Sequence, residues 1–375
     1  MKIAVTGAKG LLGWHAAARI HAQACAARYR GDEPEHELVQ IDRATFEDST
    51  ALAEALQGVD AILHFAGINR GEEAEVEAGN PAIARQLVAG CEAAGIAPHI
   101  VYANSTHAAH DTFYGRSKRI AGEVLAAFAP KFTDLVLPHI FGECAKPYYN
   151  NVTATLIDQI WQGEEPTLNP EGRVQLLHAG AAAQMAIDAV LDGTTGTLAP
   201  QGRDTGVVEL YEKLMGFHAL YTGNIIPDVS DPFDLALFNS YRTAAYPRHY
   251  PFRLKVNEDH RGKLFESAKG GNASHTFLST THPGKTRGDH FHYDLIERFL
   301  VVKGEALIRI RKVLTDEVRE FRVSGDEPSA IDQIPLHTHH IENIGEEEVI
   351  TFFWTHRMFD AAHPDTYADP VRGRP

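Results

Sequence analysis

The chain has 375 residues, 44% hydrophobic and 23% charged, the composition of a folded protein long enough for two domains. Its formal net charge of −15 argues against a nucleic-acid surface, which needs clustered Lys and Arg, and no apolar run approaches the roughly 20 residues of a membrane span. Three scattered cysteines (Cys25, Cys91, Cys144) offer no disulfide framework, and Met1 leads straight into a strand-like segment, so a cytoplasmic protein is expected.

Lys2 to Thr6 reads as a buried strand, followed by Gly7-Ala8-Lys9-Gly10-Leu11-Leu12-Gly13 and an alanine-rich helix from Leu11 to about Ala27. A glycine turn that opens a helix presents unpaired N–H groups to an anion. Gly7 permits the turn, Gly10 lets backbone approach a pyrophosphate, and Gly13 allows helix and strand to pack closely. Leu38 to Ile41 is a second strand, 48–57 a helix, and Ala61 to Phe65 a third strand that runs into Ala66-Gly67. Asn80 to Ala94 is helical, His99 to Ala103 is strand four, Tyr114 to Phe128 is helical, and Thr133 to Leu137 is strand five. Alternating β and α predicts an α/β, doubly wound parallel sheet of the Rossmann type over residues 1–245.

Asp42 and Arg43 close strand two, where cofactor choice is made. A carboxylate there suits the ribose diol of NAD, and a guanidinium suits the phosphate of NADP. Lys9 adds positive charge to the glycine loop, so NADPH is favoured over NADH. Tyr114 and Lys118 lie four residues apart on one helix face. A phenol of pKa near 10 needs a nearby cation to exchange protons near pH 7. A hydroxyl ends strand four; Ser105 is favoured over Thr106.

From Pro227 to Leu254 proline and tyrosine become frequent, which reads as a linker or a packed segment between domains. Beyond Val256 short alternating strands follow: His275 to Ser279, Arg298 to Val302, Ala306 to Lys312, Arg319 to Val323 and Val349 to Trp354. Such spacing predicts an all-β sandwich or barrel over residues 246–375. Within it stands Gly284-x5-His290-x-His292-x4-Glu297-x6-Gly304. Side chains two apart on a strand share a face, so His290 and His292 point the same way, and Glu297 can return on the next strand. Imidazole with carboxylate suits one divalent metal, with zinc favoured among Zn, Mn, Fe, Ni and Cu.

The GxxGxxG loop with Tyr114-x3-Lys118 resembles the extended, nucleotide-sugar branch of the short-chain dehydrogenase/reductases. That resemblance implies Tyr114 as general acid/base, Lys118 lowering its pKa and holding the nicotinamide ribose, Ser105 as the partner hydroxyl, and Phe65, Ala66 and Gly67 lining the adenosine side. The His-x-His-x4-Glu-x6-Gly spacing resembles the first cupin motif. Pro335-Leu-His337-Thr-His339-His340-Ile-Glu-Asn343 resembles the second, with His339 as fourth ligand ahead of His337 and His340. Asp259-His-Arg261-Gly262 and Arg287-Gly288-Asp-His290 look like strands of the dTDP-4-keto-6-deoxysugar 3,5-epimerases, which implies that Arg261 and Arg287 bind a nucleotide sugar.

The two halves together resemble the CapF/WbjC family of capsule and O-antigen synthesis along essentially the whole chain. Its anchors here are Thr6-Gly-Ala-Lys-Gly10, Ala66-Gly-Ile-Asn-Arg70, Tyr114-Gly-x-Ser-Lys118, Phe141-Gly-x-Cys-x-Lys-Pro-x-Tyr-Asn150, Asp259-x-Arg-Gly262 and Pro364-Asp-Thr-Tyr367. The resemblance implies a homodimeric, bifunctional enzyme. Its cupin epimerises C3 of a UDP-2-acetamido-2,6-dideoxy-4-keto-hexose, and its reductase domain reduces C4 with NADPH. The product is UDP-N-acetyl-6-deoxy-L-talosamine, on the route to UDP-N-acetyl-L-fucosamine. Lys146, Asn150 and Asn151 would line the sugar-nucleotide cleft, and Arg173 would meet the diphosphate. An alternative keeps the reductase and makes the cupin a dimerisation or sugar-binding module. One departure stands out: His178-Ala-Gly replaces the aspartate-rich segment usual after the substrate strand.

Overall fold

A parallel sheet covered on both faces needs strands that send apolar side chains both ways. The first 200 residues of this computed structural model are built on that rule. The structure describes residues 1–259, 262–265, 268, 270 and 274–372. In chain order the first elements are β1 (Lys2–Thr6), α1 (Leu11–Arg30), β2 (Glu37–Ile41), α2 (Arg43–Glu47), α3 (Ser49–Leu56), β3 (Ala61–His64), α4 (Glu73–Ala94), β4 (His99–Ser105), α5 (Phe113–Phe128) and β5 (Lys131–Leu137). Then come β6 (His139–Phe141), α6 (Val152–Gln162), β7 (Arg173–His178), α7 (Ala179–Leu191), β8 (Gly196–Leu198) and β9 (Arg203–Gly206).

Six strands form one parallel sheet in the order β2-β1-β3-β4-β5-β8. Ile3, Val5, Leu63 and Val101 face one core with Ile20, Ala183 and Ile187 of the covering helices. Ala4, Ile62 and Ile100 face the other, with Leu52, Leu87 and Leu125. The strand order reverses between β1 and β3, and ligands of such sheets bind beyond the strand ends at that point. The glycine loop lies there. A smaller sheet, β6-β7-β9, follows.

The remaining elements are α8 (Val207–Thr222), α9 (Pro232–Ala245), β10 (Phe252–Arg253), β11 (Val256–Asp259), β12 (Gly262–Phe265), β13 (His275–Thr281), β14 (Thr286–Phe291), β15 (Glu297–Lys303) and β16 (Glu305–Lys312). They end with β17 (Val318–Ser324), β18 (Ser329–Gln333), β19 (His337–Asn343), β20 (Val349–Thr355) and β21 (Tyr367–Ala368). Two antiparallel five-stranded sheets, β10-β18-β15-β20-β13 and β17-β16-β19-β14-β21, form a cupin-type barrel. Phe299, Val301, Ile331 and Phe353 of the first meet Ile308, Ile310 and Ile341 of the second in one core. By packing, residues 1–155 group with 168–209, and 156–167 group with 210–375.

The proline- and tyrosine-rich stretch, expected as a linker or a packed segment between domains, contains the packed helix α9. Asp231 caps it, accepting from Phe233 N at 2.8 Å, and Pro232 occupies the first turn, where a missing N–H costs nothing. Its Leu237, Phe238 and Tyr241 are fully buried, so the aromatics mark packing rather than a hinge.

Below α8, a buried ion pair locks the second unit. Arg298 Nε and Nη2 reach Asp332 at 2.5 and 2.9 Å, and the Tyr221 hydroxyl donates to the same carboxylate. Removing one partner strands the other charge in the core. We expect Asp332→Ala to cost about 3–5 kcal/mol of stability in denaturant unfolding, whereas a surface change such as Glu327→Ala shifts it by less than about 0.5.

Candidate reductase and metal sites

The glycine loop is held by close approach. Gly7 has φ of 65°, and a Cβ on Gly13 would lie 2.2 Å from the carbonyl oxygen of Gly7. The Thr6 hydroxyl accepts from both Phe65 N and Ala66 N at 3.2 Å and bonds His64 Nδ1 at 2.8 Å. One side chain thus ties the loop to Phe65-Ala66-Gly67. Burial, with the Lys118 charge second, holds His64 down to about 3, so the imidazole is neutral there.

Gly10 N donates to Gly7 O at 2.8 Å, while the first turn of α1 from Leu11 has no side-chain cap and leaves N–H groups for an anion. Lys9 Nζ pairs with Asp42 at 2.7 Å. That hydrogen bond, joined by Thr45 N, pulls the Asp42 carboxyl to about 2. Arg43 is almost fully exposed and pairs with Glu47 at 2.6 Å.

The groups expected to react come from β4 and α5. Thr112 caps α5 by accepting from Gly115 N at 3.0 Å, which sets Tyr114 in the first turn. The Tyr114 phenol is pushed up by burial and drawn back by a hydrogen bond with Ser105. Lys118 is buried, donates to Ala103 O at 2.6 Å and lies 4.1 Å over the Tyr102 ring. Burial lowers it to about 7, against a partial opposing pull from Asp134.

Asn80 was missed by the sequence reading. Its side chain accepts from Ile68 N at 2.9 Å, donates to Ile68 O at 2.8 Å and donates to Ser117 Oγ at 2.9 Å. It therefore pins the segment after β3 to the helix that carries Tyr114. The Asn80-Pro81 pair inside a helical stretch was the available signal.

The expected sugar-binding residues divide. Asn150 Nδ2 donates to Asn69 O at 2.6 Å, Arg70 donates to Tyr148 O, and Lys146 Nζ stands 5.4 Å from the Tyr149 ring. Asn151 is buried and occupied by backbone: it donates to Ile140 O at 2.9 Å and accepts from Ala154 N at 2.9 Å. Arg173 is exposed and forks onto Asp204, the closest contact being 2.8 Å. Arg287 Nε donates to Thr280 O at 2.8 Å. Arg261 lies outside the described residues.

In the barrel, β14, β15 and β19 bring His290, His292, Glu297 and His339 together, with one donor atom from each within 4.8 Å of the others. His290 pairs with His339 across a register shift at Asp289, whose φ of 59° re-aims the strand. Glu297 Oε2 lies 3.4 Å from His292 Nε2 and 3.8 Å from His339 Nε2. The outer nitrogens face backbone: His292 Nδ1 lies 2.6 Å from Asp365 O, and His339 Nδ1 3.3 Å from His337 O. That leaves each Nε2 to point inward as a ligand atom. His339 Nε2 is buried with no hydrogen-bond partner among the described residues. Burial, with His292 next, lowers His290 to about 4, and burial holds His339 far below its ordinary value, so both are neutral. Two neutral imidazoles, a third (His292) whose burial is outweighed by the Glu297 carboxylate that raises it, and that carboxylate fit a divalent metal.

The rivals to His339 are engaged elsewhere. His337 Nδ1 lies 2.8 Å from Pro335 O, and His340 bonds Asp289 Oδ1 at 2.9 Å and Arg309 Nη1 at 3.2 Å.

Residues 3–195, more than half of the chain, match the NAD dependent epimerase/dehydratase family, and residues 257–367 match the polysaccharide biosynthesis C-terminal domain. The chain belongs to the NAD dependent epimerase/dehydratase family, and the CapF/WbjC resemblance read from its motifs holds along its whole length. It is 28% identical to a UDP-2-acetamido-2,6-beta-L-arabino-hexul-4-ose reductase of Pseudomonas aeruginosa, covering 99% of each chain. Among solved structures it resembles the capsular polysaccharide assembling protein CapF of Staphylococcus aureus, at 27% identity and a TM-score of 0.56 over 99% of this chain and 100% of that one. A second crystal form of that protein aligns at 26% and 0.51 over the same shares. No helix among the described residues is long and apolar enough to cross a membrane.

The cluster predicts a selective loss. His339→Ala is expected to lower bound metal at least about tenfold in elemental analysis of the purified protein, while His340→Ala retains it.

Proposed function

We propose that this chain is a bifunctional sugar-nucleotide enzyme of capsule or O-antigen synthesis. Its barrel epimerises C3 of a UDP-2-acetamido-2,6-dideoxy-4-keto-hexose, and its parallel-sheet domain reduces the C4 ketone with NADPH to UDP-N-acetyl-6-deoxy-L-talosamine. The observation that carries this reading is the inward convergence of His290, His292, Glu297 and His339 in a chain whose α5 also carries Tyr114 and the buried Lys118. Full-length similarity to a UDP-sugar 4-ulose reductase supports the substrate class. We further assign zinc to the cluster, a homodimeric assembly and a cytoplasmic location.

The residues divide the chemistry. A 4-ketone acidifies the C3–H bond, and a divalent cation beside the ketone oxygen would stabilise the enolate. His290, His292, Glu297 and His339 would hold that cation, with the Nδ1 contacts to Asp365 O and His337 O keeping two of the rings in place. Arg287 would hold the nucleotide sugar. Reprotonation of C3 from the opposite face inverts the carbon.

In the reductase, a bound nicotinamide would supply hydride to C4. Tyr114 gives its phenolic proton to the resulting O4, and the ammonium of Lys118 stabilises the phenolate. Ser105, at the end of β4, would hydrogen-bond Tyr114 and orient it toward the ketone. The glycine loop, Gly7 to Gly13, would cradle the pyrophosphate. Lys9 would supply a cation to the NADP phosphate, while Asp42, capping α2, would accept the ribose hydroxyls if NADH bound instead.

The test is NMR of a synthetic UDP-4-keto sugar in D2O. Without NADPH, wild-type protein is expected to exchange the C3 proton, and His290→Ala to abolish exchange. With NADPH, Tyr114→Phe is expected to cut reduction by about 10²–10⁴-fold while C3 exchange continues. Reduction without any C3 exchange in wild type would leave the barrel as a dimerisation or sugar-binding module.

A further inference from the structure

A second convergence of buried donors lies in the N-terminal unit, where the proposed reactions have no use for it. His15 stands near the start of α1, Glu143 lies two residues past β6, and His178 ends β7. His178 Nε2 is 2.9 Å from Glu143 Oε2, and His15 Nε2 is 3.6 Å from that same oxygen. One donor atom from each of the three lies within 4.8 Å of the others. The two rings meet edge to face, centroids 5.6 Å apart. His15 and Glu143 are 1% and 2% exposed.

The backbone leaves room for these side chains. A Cβ on Gly142 would come within 3.3 Å of His15 Nε2, and one on Gly180 within 2.9 Å of His178 Cε1. The His178-Ala-Gly180 departure from the aspartate-rich pattern thus has a structural consequence. It supplies one imidazole and the small residue that makes space for it.

We propose that His15, Glu143 and His178 form a second divalent-metal site, for zinc or a similar transition ion, that ties α1 to the ends of β6 and β7. Two imidazole nitrogens and a carboxylate oxygen are a known zinc donor set. Ligand bonds of about 2.0–2.2 Å in a tetrahedron put donor atoms roughly 3.4 Å apart, which the 2.9 and 3.6 Å separations bracket. Hydrogen bonds join the same groups differently: His178 Nε2 meets the carboxylate at 2.9 Å, and His15 Nε2 donates to the Glu143 carbonyl at 3.3 Å, a bond that a metal at the site would replace by turning His15 to its other tautomer. A buried carboxylate also needs positive charge close by. The site joins the helix that follows the glycine loop to two other chain segments, so its role is positioning rather than contact with substrate.

The test is metal stoichiometry of the full-length protein after zinc loading and desalting. Glu143→Gln is expected to hold about one equivalent per chain less than wild type, and the His290→Ala/His339→Ala double variant to keep about one. Cobalt loaded into the double variant should give the intense visible absorption of a four-coordinate ion. Equal zinc in wild type and Glu143→Gln would overturn the proposal. If Glu143→Gln does not fold, a double variant holding no zinc overturns it instead. The Glu143→Gln difference does not depend on whether the barrel cluster binds metal, so failure here is distinct from failure of the proposed epimerase.

Discussion

A polar atom taken out of water must find a partner, and this chain takes many imidazoles and charges out of water. Most of the arrangement around the two sites follows from how that demand is met. His64 is buried beneath the glycine loop and meets the Thr6 hydroxyl, which thereby also reaches two N–H groups after β3. Asn80 meets both backbone groups of Ile68 and still reaches α5. Arg298 is satisfied by Asp332, and Arg242 by Asn239 and the carbonyl of Gln333. Each contact fixes the spacing of two elements that local propensity alone would leave free. Where protein partners stop, as at His339 Nε2, a ligand from outside becomes the natural completion.

The same rule explains which parts of the fold were legible. The nucleotide half could be read because its chemistry is local. Gly7 to Gly13 lies in one turn, and Tyr114 and Lys118 lie one helical turn apart. The apolar runs of β1, β3 and β4 are the signature of strands buried on both faces. Boundaries were less legible. Asn80-Pro81 looked like a helix start, yet α4 begins at Glu73, because Val76 is buried and the earlier turn stays helical through the proline. The β-half was read through its apolar strands, and β18 went unassigned. β19 was found only as a ligand motif. Their buried positions carry Ser329, Asp332, Gln333, His337, His339 and Asn343, so alternation of apolar and polar residues cannot reveal them.

Site residues were legible in proportion to how little tertiary context they needed. The four residues of the expected metal set, His339 from a shortened motif among them, lie together in the structure. Residues named from resemblance fared differently. Asn151 is taken up by a helix cap and a backbone carbonyl, and Arg173 by Asp204. A motif match reports that a residue type recurs at a position; it does not report what the side chain already holds. Glu143 is the converse. Nothing in its local sequence marks it, because its partners are 128 and 35 residues away, and only the packing of α1 and β7 brings them near.

On the proposed chemistry, the two catalytic halves are linked by one electronic fact. The carbon that the barrel inverts is acidic only while the neighbouring ketone exists. Inversion therefore runs close to equilibrium, passing protons in both directions, and it cannot by itself commit material to one epimer. Hydride transfer removes the ketone and with it the acidity of C3, so the step that traps the product also switches off the step before it. Stereochemical purity would then depend on the reductase accepting one epimer and not the other, which would put discrimination with the residues around Tyr114 rather than with the metal. A cation surrounded by three imidazoles and a carboxylate is suited to that division. It stabilises charge on the ketone oxygen and leaves the hydroxyl pattern of the sugar to be read elsewhere.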